Sequence, residues 1–144
     1  MRGRCVRAFL AAMLVGGLYA APVHAATKTF FAVLNGGQET PPVVTDAFGV
    51  AYFTFDDKSL MLCYSVTFTG IRTVDLKAAH VHGPAAPGSP AAILVSLTTA
   101  NPSNGCVGFP KGNKKDLKHG MTYVNVHSTQ NPGGEIRGQL IPVK

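Results

Sequence analysis

Between Leu60 and Thr69 apolar and polar side chains alternate without a break. Leu60, Leu62, Tyr64, Val66 and Phe68 share one face; Met61, Cys63, Ser65, Thr67 and Thr69 share the other. A period of two over ten residues rich in β-formers predicts a half-buried strand. Shorter runs of the same kind predict strands over Thr29–Leu34, Val50–Phe55, Ala79–His82, Ile93–Leu97, Tyr123–His127 and Ile136–Ile141. Turn-forming residues separate them: Asn35-Gly36-Gly37, Asp56 to Ser59, Pro84 to Pro90, Asn101 to Gly105, and Asn131 to Gly134. Only Asn113 to His119 reads as a helical turn, with Asn113 as N-cap, Asp116 at the third position and Gly120 just past the end. Seven or eight short strands at this spacing, with no internal repeat and no dividing linker, predict one all-β domain. The expected architecture is an antiparallel, Greek-key-like β-sandwich.

Composition refines this once the first 25 residues are set apart. Arg2, Arg4 and Arg7 precede an uncharged apolar run from Ala8 to Ala20, and Val23-His24-Ala25 supplies small residues at −3 and −1 of a cut after Ala25. That is the pattern of a secretory signal peptide, cleaved after Ala25 or Ala26, with the domain at residues 26–144. An uncleaved anchor is the alternative, although a run of about 13 residues falls short of the ~20 that span a bilayer. Cys5 precedes the apolar run, so it is not a lipoprotein acylation site. The whole chain has 144 residues and a formal charge of +6. Removing 25 residues leaves 119, with ten Lys and Arg against seven acids, a net +3. That modest excess, without an Arg-rich or aromatic-interleaved patch, excludes nucleic acid as an expected partner. Lys111, Lys114, Lys115 and Lys118 cluster around Asp116 and read as a solvated face in preference to an anion site. The expected location is periplasmic or secreted. In such an oxidising compartment Cys63 and Cys106, the two cysteines left after the signal segment, are expected to form a disulfide, with two free thiols as the alternative.

Three histidines carry the chemistry. His80 and His82 flank Val81 in a predicted strand, so both imidazoles leave the same face about 6.6 Å apart. In the Tyr123–His127 strand, Tyr123, Asn125 and His127 share the face opposite Val124 and Val126. If the two strands lie together, His80, His82 and His127 supply three nitrogen ligands, a set suited to copper, zinc, iron or nickel. The plain alternative is that the imidazoles hydrogen-bond to carbonyls and acids and hold loops in place. His24 falls in the signal segment, and His119, on the Lys-rich turn, is expected to be exposed. No Gly-x-Ser-x-Gly or phosphate-cradling loop is present. Glu39 and Glu135 sit in Gly-rich turns, where a surface ion pair with Arg137 is expected ahead of acid–base catalysis.

The motif Leu34-Asn35-Gly36-Gly37-Gln38-Glu39-Thr40-Pro41-Pro42, followed by Ala79-His80-Val81-His82-Gly83, Tyr123-Val124-Asn125-Val126-His127-Ser128 and Pro132-Gly133-Gly134-Glu135-Ile136-Arg137-Gly138-Gln139-Leu140, resembles the CHRD (chordin) domain family. These motifs stand in the family's order across residues 29–142. The resemblance implies a β-sandwich module, repeated in animal chordins, where it regulates extracellular growth factors, and single in exported bacterial proteins, for which it implies no settled activity. The His-Val-His strand, the later histidine, the cysteine pair and the Gly-rich turn before an arginine are also similar to copper-zinc superoxide dismutase. That likeness implies copper on His80, His82 and His127 and an anion-guiding role for Arg137. No counterpart of the dismutase zinc loop lies between Gly83 and Ile93. The expected function is a binding module, with copper the favoured metal. The alternatives are a dismutase-like copper redox enzyme and a purely structural or protein-interaction domain without metal.

Overall fold

A computed structural model describes residues 27–144. The segment read as a signal peptide, with Cys5 and His24, lies outside the described residues. Nine strands follow one another: β1 (Thr27–Asn35), β2 (Phe48–Asp56), β3 (Met61–Thr69), β4 (Leu76–His82), β5 (Ile93–Ser96), β6 (Ser103–Gly108), β7 (Tyr123–Ser128), β8 (Ile136–Gln139) and β9 (Ile141–Pro142). One short helix, α1 (Lys114–Lys118), stands between β6 and β7. Every strand pairing is antiparallel, in the order β5-β4-β7-β8-β1-β2-β3-β6, with β9 also on β1.

The two layers expected of a sandwich are therefore halves of one sheet. β1, β2, β3 and β6 form one half and β5, β4, β7 and β8 the other, joined where Asn35 pairs with Arg137. The sheet curls almost into a barrel. At the seam the strands approach so closely that a Cβ on Gly138 would overlap the carbonyl oxygen of Val33, so β8 needs glycine there. The chain crosses between halves after β3, β5, β6 and β8, and the crossing after β5 places β6 beside β3 as a Greek-key connection does.

The strict alternation read from the sequence is what the strands obey. Leu62, Tyr64, Val66 and Phe68 turn inward, as do Phe30, Ala32 and Leu34 of β1 and Ala51, Phe53 and Phe55 of β2. From the other half come Val81, Val124, Val126 and Ile136, while Leu117 of α1 is fully buried. Each fully buried Phe, Leu or Val contributes about 1.5–3 kcal/mol relative to exposure. Leu60 is the exception to the alternation. It holds a left-handed φ of 58° at the end of the β2–β3 turn, where the Asp56 carboxylate accepts from the backbone N–H of Lys58 and Ser59.

The strand Ser103–Gly108 stands where turn residues are dense and no strand is expected. It pairs with β3 in register, placing Cys106 opposite Cys63, and the two form a disulfide with Cα atoms 3.9 Å apart. Asn113 does not cap α1 by accepting from its backbone; its amide instead donates to the Asp116 carboxylate at 3.0 Å. Lys114 and Lys118 reach Asp57 in the β2–β3 turn at 3.0 and 2.7 Å, so part of the Lys-rich face serves to pin α1 to that turn. No helix among the described residues is long and apolar enough to cross a membrane.

Candidate metal centre

The outward face of β4, β7 and β8 is not a surface. Antiparallel register sets His82, Tyr123 and Gln139 in one row and His80, Asn125 and Arg137 in the next, with His127 one step further along β7, opposite Ala78. Three loops fold back over these rows. From the β4–β5 loop, the Ala91 carbonyl accepts from His82 Nδ1 at 2.9 Å, the Ala91 N–H donates to the Tyr123 hydroxyl at 3.2 Å, and Ala85 and Ser89 carbonyls accept from Gln139 and Arg137. The β1–β2 loop brings Thr40, whose hydroxyl accepts from Arg137 at 2.9 Å. The β7–β8 turn brings Pro132, whose carbonyl accepts from His127 Nδ1 at 3.0 Å. The polar rows become a second interior.

Within it the three imidazoles converge. His80 Nδ1 and His127 Nε2 are 3.1 Å apart, and one nitrogen from each of His80, His82 and His127 fits within a span of 4.8 Å. Tetrahedral ligation at 2.0–2.1 Å spaces nitrogens about 3.3–3.4 Å apart, so ring movements of roughly 1 Å bring the set onto one ion. The tautomers follow from the carbonyls. Ala91 and Pro132 can only accept, so His82 and His127 carry their protons on Nδ1 and turn Nε2 lone pairs to the interior. The His82 Nε2 is buried without any partner. The Asn125 amide lies 3.0 Å from His127 Nε2 through its Oδ1 and, with this tautomer, must turn its NH2 to that lone pair to bond it.

Charge is excluded from the cluster. Burial, reinforced by the neighbouring imidazoles of His127 and His82, lowers the His80 pKa to about 4. Burial also lowers those of His82 and His127, outweighing the Ala91 carbonyl and the Asn125 side chain at His82 and the Pro132 carbonyl at His127. At neutral pH all three are neutral, the form that ligates metal. A stack braces the cluster. The His82 ring lies on Tyr123 with centroids 4.8 Å apart and planes 2° from parallel, and the Arg137 guanidinium sits 3.5 Å above the other ring.

Arg137 does not form the expected surface ion pair. It is only 2% exposed, and no carboxylate among the described residues lies within salt-bridge distance. Its charge is held by Tyr123, Thr40 and the Ser89 carbonyl, because covering loops left it no room to reach solvent. Glu135 is also buried and accepts from the Thr45 hydroxyl at 2.8 Å. Glu39 was expected in an exposed turn but is buried, its carboxylate against Gly134, where a Cβ would overlap it and where φ is +134°. His119 is exposed, as expected.

Burial raises the Glu39 pKa to about 7, against the opposing pull of Arg137 and Asn125. The folded state therefore binds a proton that the unfolded chain releases between pH 4.5 and 7, and stability falls as pH rises through that window. Glu39→Gln removes this dependence. Urea denaturation of the variant should show a gain of about 2–3 kcal/mol at pH 8 that disappears below pH 4.5. An unchanged difference across that range would mean Glu39 is charged without cost.

The CHRD domain family model matches residues 30–140, nearly the whole described chain and all three histidines. The chain belongs to the CHRD domain family. No curated protein and no solved structure matches it significantly. Within this CHRD domain the Asn35-Gly36-Gly37-Gln38-Glu39-Thr40 motif forms the loop that covers Arg137. The Gly133-Gly134-Glu135-Ile136-Arg137 motif forms the turn packed on Glu39 and enters β8. The motif residues are thus largely the lid and floor of the histidine layer.

Proposed function

We propose that this CHRD domain is an exported binding module that holds one copper ion on His80, His82 and His127. The observation that carries the proposal is the buried His82 Nε2, an unpaired lone pair grouped with two other neutral imidazoles. Native interiors seldom leave such an acceptor orphaned, and a metal satisfies it. An all-imidazole set without carboxylate suits copper among the first-row metals, which also binds most tightly of the divalent series. The backbone carbonyls behind His82 and His127 act as the outer partners that orient metal-binding histidines. Export is supported by the Arg-rich, apolar, small-residue leader and by a disulfide, which persists in oxidising compartments.

The buried stack favours binding over dismutation. Arg137 is only 2% exposed, spends its donors on Thr40 and the Ser89 carbonyl, and shares the cleft of about 300 Å³ that it lines with the Glu39 carboxyl, so little of its charge is offered to an incoming anion. Protein purified after copper supplementation and dialysis should retain one copper per chain, with nitrogen hyperfine splitting in its EPR spectrum and no dismutase activity above that of free protein. Dismutation by the loaded protein would favour the redox reading. Retention of no copper would leave the histidines a purely structural role.

A further inference from the structure

The opposite half of the sheet carries a face that none of the described residues covers. β1, β2, β3 and β9 turn outward Phe31 and Val33, Phe48, Val50 and Tyr52, Met61, and Ile141, each between 37% and 55% exposed. The register makes them contiguous. Ile141, Phe31, Tyr52 and Ser65 form one row with Asn104 at its end, Val33, Val50 and Thr67 the next, and Phe48 and Thr69 the third. Asp56, at the end of β2, is the sole charged residue turned to this side of these strands. Seven large side chains leaving roughly 60–110 Å² each in water amount to about 550–600 Å² of apolar surface. With the Thr and Ser residues between them the face reaches about 800 Å², the share that each partner gives to a standard interface. Soluble monomers rarely leave a contiguous apolar patch of this size uncovered.

We infer that this face binds a second copy of the chain. Its relief is self-complementary. Bulk stands at the β9–β1–β2 side, in Ile141, Phe31 and Tyr52, whereas the β3–β6 side carries Ser65, Thr67 and Asn104. A depression of about 210 Å³ lies between β2 and β3, lined by Tyr52, Thr54, Cys63, Tyr64 and Ser65. A two-fold axis parallel to the strands and over β2 lays each bulky side on the partner's small side, as an isologous dimer requires. Charge points the same way. The described residues carry ten Lys and Arg against seven acids, so two copies repel except where they meet on an uncharged face. A partner of opposite charge would instead find nothing here to pair with. The metal cluster lies on the other half of the sheet, so the dimer does not depend on it.

Protein from cells expressing the full chain should elute with twice the monomer mass by light scattering across ~1 to ~100 µM, with or without EDTA. Tyr52→Lys, and separately Val50→Lys, should convert it to monomer with the circular dichroism of wild type, while Val74→Lys, on an exposed turn elsewhere, should leave the dimer intact. Two positions guard against one variant that fails to fold. Wild type that stays monomeric at ~100 µM overturns the inference, as does a dimer that survives both lysines, or a face that is occupied only by lipid vesicles or another protein.

Discussion

Replacing His80 and His82 together with alanine abolishes copper retention and leaves the fold in place. Outer partners of metal-bound histidines are worth 10–100-fold in affinity, so each direct ligand is expected to cost at least about 100-fold and the pair about 10⁴-fold. The fold survives because these side chains face the loop-covered layer, whereas the sheet is held by Val81, Val124, Val126 and the core beneath them. Calorimetry reads the difference cleanly. Copper at about 1,000 times its dissociation constant adds roughly 4 kcal/mol to wild-type stability and nothing to the double variant. A structural role would give the reverse: a variant that melts early by the same amount with and without metal.

The same variants carry a pH signature. The folded-state pKa values of all three histidines lie below the unfolded value of 6.5, that of His80 at about 4. The unfolded chain then binds more protons in that window, so the contribution of the cluster is complete above pH 6.5 and is lost as pH falls towards 4. Glu39 acts in the opposite sense between 4.5 and 7, so the histidine effect is best read in a Glu39→Gln background. Copper follows the same sign. Protons compete with the metal only once the imidazoles titrate, and copper should remain bound at pH 6, where an exposed histidine site is already largely protonated. Release beginning at pH 7 would contradict the neutral cluster.

Loss of the Cys63–Cys106 disulfide is the second large effect. The bond closes a loop over a sequence separation of 43 and ties β6 to β3, its only strand neighbour among the described residues. For that loop length the chain-entropy relation gives about 4 kcal/mol. In a domain of this size that lowers Tm by roughly 15 °C. β6 supplies little of its own to offset the loss, since its sequence is Ser-Asn-Gly-Cys-Val-Gly and only Ser103 is fully buried. Cys63→Ser/Cys106→Ser protein should therefore show fast amide exchange over Ser103–Gly108 while copper binding, on the other half of the sheet, is unchanged at pH 7. A Tm within ~3 °C of wild type would show that the edge strand holds without its crosslink.

What the residues alone revealed, and what they hid, divides along the same line. Strands whose inward faces are apolar and outward faces polar announce themselves by period two, and β1, β2, β3 and β7 all stand where the pattern puts them. β6 does not, because Asn101-Pro102-Ser103-Asn104-Gly105 has the chemistry of a turn and the strand exists through its pairing and its disulfide. The His80-Val81-His82 spacing set two imidazoles on one face, and His127 on the matching face of β7, so the cluster was legible given adjacency of the two strands. Its surroundings were not. Glu39 and Arg137 are polar residues in turn-rich or strand-edge sequence, and nothing local says that they are buried. Their burial depends on loops meeting the sheet from 40 to 100 residues away: Thr40 and Ser89 on Arg137, Ala85 on Gln139.

The central claim is that the three imidazoles share one ion. Copper-edge X-ray absorption of the loaded protein at pH 7 tests it most directly. It should show three nitrogen scatterers at about 2.0 Å with the outer-shell pattern of imidazole, reduced in the His127→Ala protein. A first shell of oxygen, or an identical imidazole count in wild type and that variant, would contradict it.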